Sequence, residues 1–449
     1  MSDQNTPGYR PSVHFTPKNT WMNDPNGLVL HKEQYHLFFQ NNPFGKDWGN
    51  LSWGHAVSED LLQWRELPVA IAATAEEMVF SGSVVWDRDN SSGLGGGGEG
   101  PLVAIYTSAH TDQDQPRAGR QAQSVAFSND DGMTWTRYPG NPVLDRGSRE
   151  FRDPKVFWHE ESDRWVMVSV EAVDRQVLVH SSRDLLSWSF ESAFGPVGEV
   201  GGVWECPDLI QVPIEGTLDF AWVMLVSLNP GGPAGGSGMQ YFVGNFDGHT
   251  FSPGPEGARW LDFGTDFYAA VSFHGIQPPT IVGWMSNWAY AGKAPTHPWR
   301  SAMSLPRTLS LVATPSGRAV RQRLVLPSDG PKDVLVEEFV LDVDHEVALQ
   351  WGEGVGASRL LLHRDQSGRV TADRTGADPH RVHVGFHQSA GVDLGDGPVN
   401  GLLVEDHGLV EVLLDDGVVS ISMQTFPVEG AAPRLVHRDR VQLAARSTR

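Results

Sequence analysis

Cysteine is nearly missing from this chain: Cys206 stands alone among 449 residues, so no internal disulfide can staple the fold. No stretch approaches the ~20 apolar residues that a membrane-spanning helix requires. Positive charge is scarce as well. Thirty-four Lys and Arg against 55 Asp and Glu leave a net charge of −21, which disfavours nucleic acid or an anionic membrane surface as partner. It also disfavours a phosphorylated substrate unless a local basic pocket overrides the global sign. The opening MSDQNTPGYR has neither the basic start nor the apolar core of a secretory signal. The expectation is therefore a cytoplasmic protein, with secretion as the alternative if a signal has been removed. The 17 His form no HExxH or comparable ligand spacing, so neither metal nor cofactor is expected.

What the chain has in quantity is Gly, 49 residues, and Pro, 30, over a weak helical signal, which favours turns and short strands. Three acidic segments stand out: WMNDPNG at Trp21 to Gly27, FRDP at Phe151 to Pro154 and WECPDL at Trp204 to Leu209. Each places a carboxylate, Asp24, Asp153 or Glu205, just ahead of a strand-like run. Acids at positions 24, 153 and 205 can meet only through tertiary structure. A radial architecture would bring such strand starts together.

Repetition supports that reading. Strand-like runs follow Asp24, Ser81, Asp153, Glu205 and Tyr268, at steps of 57, 72, 52 and 63 residues, each long enough for a four-stranded antiparallel unit. In phase with them recur AVSEDLLQW ending at Trp64, AFSNDDGMTW ending at Trp135 and VHSSRDLLSW ending at Trp188, with a weaker copy at FVGNFDGHTF, Phe242 to Phe251. Each reads as a hairpin closed by a buried ring. Units of this kind bury their faces only against neighbours, so the predicted fold is all-β, a five-bladed β-propeller over residues 1–315 with the anchor strands innermost. A linker over 316–332, with room for one strand inside it, leads to a second all-β unit over 333–449, read as a β-sandwich. There Asp415-Asp416-Gly417 makes a hairpin turn, and Val419, Ile421 and Met423 alternate with Ser420, Ser422 and Gln424 as in a half-buried strand.

Seven motifs in order, WMNDPNG, WGNLSWGHA, FSGS, FRDPKV, WECPDL, DFYAAVSF and GWMSNWAY, spread between His14 and Pro306, resemble glycoside hydrolase family 32, the invertases, inulinases and levanases. The resemblance implies a propeller followed by a sandwich, and a retaining β-fructosidase with Asp24 as nucleophile, Glu205 as acid/base and Asp153 as transition-state stabiliser. It further implies that Asn23, Gln40, Ser81 and Arg152 hydrogen-bond the terminal fructose, that Trp48, Phe80 and Trp288 line the pocket, and that Tyr268 tunes Glu205. Trp53 is a weaker candidate. A carboxyl close to two anions is pushed towards its protonated form, so Glu205 is expected neutral at rest, and Arg152 is expected to keep Asp153 ionised.

Alone, any one Asp-Pro pair is more simply a turn, and most of the 16 Trp are more simply packing residues, Trp64, Trp135 and Trp188 above all. Asp208 reads as structural, His55 as a hydrogen-bonded structural residue and Cys206 as packing behind Glu205. Three functions stay open: an exo-acting β-fructosidase on levan-type or inulin-type fructans, fructo-oligosaccharides and sucrose; a fructosyltransferase or disaccharide-releasing enzyme of the same fold; and a sugar-binding propeller without catalysis. The partners expected are small or oligomeric fructose-containing sugars. Nothing here indicates the oligomeric state.

Overall fold

A computed structural model of the chain describes residues 8–327, 333–387, 389–428 and 430–439, where the regular structure is strand and short 3-10 turn. The chain is all-β. Five four-stranded antiparallel sheets come first, each with its strands hydrogen-bonded in chain order. Their first strands are Trp21–His31, Glu77–Trp86, Phe151–His159, Val203–Pro213 and Tyr268–Ser272. These five touch one another in cyclic order, the last returning to the first. The return is tied by backbone hydrogen bonds: Leu30 N–H donates to His274 O at 2.9 Å and His274 N–H to Leu28 O at 2.8 Å.

Apolar residues from facing sheets interlock. Val166, Val168 and Val179 of the third sheet meet Met224, Val226 and Phe242 of the fourth, all buried, and each such side chain contributes roughly 1.5–3 kcal/mol of burial. The recurring hairpin is the same device three times over. In it the indole N–H of Trp64, Trp135 and Trp188 donates to the carbonyl three residues earlier, of Leu61, Gly132 and Leu185, at 2.9, 3.0 and 3.0 Å. Asp60, Asp130 and Asp184 brace the turns by accepting the hydroxyls of Ser58, Ser128 and Ser182.

Every first strand also breaks its pairing register at the same place in the repeat, and Trp21–His31 breaks again between Asn26 and Val29. The breaks fall between Met22 and Pro25, Val79 and Gly82, Glu205 and Asp208, and Tyr268 and Val271 on four of the strands, and opposite Val168 to Val170 on Phe151–His159. A bulge bends a strand and re-aims one side chain. Asp153, Cys206 and Ala269 take left-handed backbone conformations there, with φ of 60°, 44° and 53°. At the second bulge a side chain is impossible at Gly82, where a Cβ would lie 2.1 Å from the Ile105 carbonyl oxygen.

The predicted linker needs correction. Gly317–Leu324 pairs in full register with Arg307–Thr314 and completes the fifth sheet; its polar residues mark an outer strand. Residues 328–332 of that linker lie outside the described residues. Beyond them two antiparallel sheets, one of four and one of five strands, share a core that includes Leu341, Leu349, Leu362, Leu403, Val412 and Ile421.

The strand Val419–Gln424 also departs from expectation, being buried on both faces. Val419, Ile421 and Met423 enter that core, while Ser420, Ser422 and Gln424 meet the first unit. There Arg307 donates to Asp262 Oδ2 at 3.0 Å, to Glu411 Oε2 at 3.0 Å and to Ser420 Oγ at 2.8 Å. A polar face alternates as a solvated one does, but here its partners are buried charges.

His14 bridges the same interface, its ring nitrogens 2.8 Å from Asp406 Oδ2 and 3.0 Å from Glu411 Oε1 with no side chain exposed. Burial alone would lower its pKa, but the bonds to Asp406 and Glu411 outweigh burial and push it up to about 9 from 6.5. Burial opposes ionisation of Glu411 too, yet Arg307 and His14 hold it down at about 2 from 4.5. The His14 contribution is complete below pH 6.5 and is lost as the pH rises through about 9. That of Glu411 is complete above pH 4.5 and is lost as the pH falls through about 2. Denaturant unfolding across pH is expected to show greatest stability between these limits, and His14→Gln to flatten the alkaline decline; an unchanged decline would show that His14 does not cause it.

Candidate active site

The bulges bring the three acids together. On the first strand, Asp24 accepts Ser81 Oγ–H at 2.7 Å and Asn23 Nδ2–H at 3.0 Å, and Asn23 is itself held by Trp21 Nε1–H at 2.7 Å. Asn23 is thus a support for Asp24, its carbonyl already occupied. On the third strand, the amide of Asp153 donates to Thr107 Oγ1 at 3.0 Å and its carboxyl accepts the amide of Cys206 at 2.9 Å. The Cys206 sulfur lies 3.6 Å from Asp24 Oδ2 and 3.7 Å from Asp153 Oδ2, so the thiol sits between the two aspartates. On the fourth strand, Glu205 accepts Arg152 Nε–H and Nη2–H on Oε1 at 3.2 and 3.1 Å, and the Tyr268 hydroxyl on Oε2 at 2.5 Å.

This differs from the expected division of labour. Arg152 serves Glu205 first and stands 3.9 Å from Asp153. It is braced from behind by Glu150 at 2.8 Å and Gln121 at 3.2 Å. Both oxygens of Glu205 accept hydrogen bonds. Burial, opposed by Arg152 and reinforced by the charges of Glu205 and Asp24, raises Asp153 from 3.8 to about 7. Asp24 is also raised, by burial first, with Asn23 and Ser81 opposing and Glu205 adding. The Cys206 thiol is pushed well above its ordinary value by burial and then by Asp153, Asp24 and Glu205. It links the two aspartates through its sulfur, and its backbone amide adds the shorter bond to Asp153.

Around the acids lies an apolar collar of Trp21, Leu51, Cys206, Tyr268 and Trp284, with Phe80 and Trp288 partly buried against it. Trp288 stacks on Trp21 with centroids 6.1 Å apart. Trp48 is half-exposed. Gln40 is buried, and both atoms of its amide lack a hydrogen-bond partner among the described residues. Trp53 is fully buried with its indole donating to Phe80 O at 2.9 Å, which makes it a support and not a sugar contact. Asp208 is structural, accepting the Ser272 amide at 2.7 Å and pairing with Lys155 at 3.2 Å. His55 stacks on Phe38 at 4.2 Å and bonds to His36. Sequence reasoning missed Thr107, Gln121 and Glu150. No local pattern marks such partners.

A profile of the glycosyl hydrolases family 32 N-terminal domain matches residues 14–323. The chain belongs to this family. Among curated members, the levanase of Bacillus subtilis (strain 168) is 52% identical over 325 residues, covering 70% of this chain and 46% of the levanase. The chain therefore spans about half the length of that relative. Among solved structures, an exo-inulinase from Aspergillus awamori superposes with a TM-score of 0.87 at 37% identity, covering 97% of this chain and 96% of the other. A fructofuranosidase from Schwanniomyces occidentalis, solved with fructose, gives 0.88 at 33%, with 98% and 97% covered. The match to the family ends one residue short of Leu324, where the fifth sheet ends.

Ser81 supplies the shorter bond to Asp24, and a donor to a carboxylate lowers its pKa. Ser81→Ala is expected to raise the pKa of Asp24 further, moving the acid limb of the pH–activity profile upward, and to lower kcat/KM by about 10- to 150-fold if the bond is worth about 1.5–3 kcal/mol. An unmoved acid limb would show that Asp24 does not set it.

Proposed function

We propose that the protein is a retaining, exo-acting β-fructosidase that releases terminal fructose from levan-type and inulin-type fructans, fructo-oligosaccharides and sucrose. The observation that carries this is the meeting of Asp24, Asp153 and Glu205 at one partly open point, linked through Cys206 and Arg152. Names of relatives add weight: levanase, exo-inulinase, and a fructofuranosidase bound to fructose. The fold is a five-bladed β-propeller ending near Leu324, followed by a β-sandwich. Cyclic contact of the five first strands and the shared core of the last two sheets support that reading.

Retention needs a nucleophile and a proton donor. Asp24, oriented by Asn23 and Ser81, attacks the anomeric carbon of the terminal fructose. Glu205, on the solvent side of the cluster with 22% of its side chain exposed, protonates the departing oxygen. Tyr268 and Arg152 keep it aimed. Once Asp24 is esterified one negative charge is gone, so Glu205 is freed to act as base towards water. Asp153 and the remaining carboxylates stabilise the cationic transition state by charge alone, and Asp153 holds the ring hydroxyls. Gln40, with an unsatisfied buried amide, is suited to a sugar hydroxyl, and Phe80, Trp288 and Trp48 form apolar walls against the sugar's carbon face.

Incubation with sucrose, inulin and levan is expected to yield free fructose as the main product by chromatography. Disaccharides or transfer products in its place would move the assignment to a disaccharide-releasing or transferring enzyme. Asp24→Ala is expected to be inactive on all three. Glu205→Ala is expected to lose about 10²- to 10⁴-fold on sucrose and much less on a fructoside with an activated leaving group; equal losses would remove its role as acid.

A further inference from the structure

One side chain of the second unit reaches both segments that frame the site. Arg374 is fully buried. Its Nη1–H donates to Asp266 Oδ2 at 2.5 Å and to Gln424 O at 2.7 Å, its Nη2–H to the Tyr290 hydroxyl at 2.6 Å, and its Nε–H to Phe386 O at 2.8 Å. The guanidinium also lies 3.6 Å from the Phe386 ring centroid. Tyr290 closes the triangle by donating to Asp266 Oδ1 at 2.6 Å.

Asp266 stands two residues before Tyr268, whose hydroxyl donates to Glu205, and Tyr290 two residues after Trp288. Backbone bonds add to the clamp: the Asp266 amide donates to Ser422 O at 3.0 Å and the Gln424 amide to Asp266 Oδ2 at 3.0 Å. Asn287 binds the two segments to each other, its Nδ2–H donating to Thr265 O at 2.7 Å. A planar fork with fixed donors suits this, because it sets several acceptors at once where an ammonium would set one.

We infer that Arg374 is a positioning residue for Glu205, acting from the second unit through Asp266 and Tyr268. The inference rests on the fructosidase reading above. An ångström of drift in Tyr268 is enough to spoil a short hydrogen bond, and misplacement of that size can cost about 100-fold.

The test is a double-variant cycle on the whole chain with Arg374→Lys, Tyr268→Phe and both, assayed on sucrose and on a nitrophenyl β-fructofuranoside. Arg374→Lys is expected to lower kcat on sucrose by about 10- to 100-fold with KM little changed, and to lose less on the activated substrate. Its pH–rate profile should change as that of Tyr268→Phe does, and in the Tyr268→Phe background it should cost little more. Asp266→Asn, nearly isosteric, carries the same expectations should Arg374→Lys fold poorly. Multiplying losses in the double variant, or equal losses on both substrates, would overturn the inference and leave the fructosidase reading standing. A wild-type protein that frees fructose from neither substrate would remove that reading, and the inference with it.

Discussion

Three carboxyl groups cannot share a partly buried space without donors to hold their charge, and the centre of this molecule is organised around supplying them. Asp24 has Ser81 and Asn23, Asp153 has the amide of Cys206, and Glu205 has Arg152 and Tyr268. The donors come from all five first strands. Three of the strands hold an acid and a donor at the bulge and the other two a donor, and the left-handed residues Asp153, Cys206 and Ala269 are accepted because neighbouring strands fix them. In the proposed mechanism the remaining negative charge faces a cationic transition state.

A second buried polar layer joins the two units. Arg307 with Glu411, His14 with Asp406 and Glu411, and Arg374 with Asp266 each place a basic group against an acid of the other unit, and Asp262 backs Arg307 from its own side. Buried pairs contribute less net stability than their geometry suggests, because desolvation offsets attraction. Their directional demands are strict, however, and a docking surface made of them accepts one register. The segment from Asp262 to Asp266 lies on this surface and runs directly into Tyr268. Docking of the second unit and placement of a donor in the site are thus one structural event.

Much of the active centre was legible in the residues themselves. The three acids, Ser81, Arg152 and Tyr268 all fall where the motifs put them, and the repeated Ser-Asp turn closed by Trp64, Trp135 and Trp188 marks the sheets as repeats. Less legible was the pairing of charges. Arg152 is adjacent in sequence to Asp153 and stands 3.9 Å from it, yet its hydrogen bonds go to Glu205 on the neighbouring sheet. Gly317–Leu324 read as connector since an outermost strand keeps polar residues on its open face. Val419–Gln424 read as half-solvated since alternation reports polarity and cannot tell water from a buried arginine.

The sequence by itself determined the three acidic segments, their order, the all-β repeats and the family, because turn chemistry, alternation and contiguous motifs are short-range properties written within a few residues. Only the tertiary structure decided which donor serves which acid, where the bulges fall and how Arg374 reaches the site. Those depend on backbone direction and on partners tens to hundreds of residues away, whose approach no local pattern records.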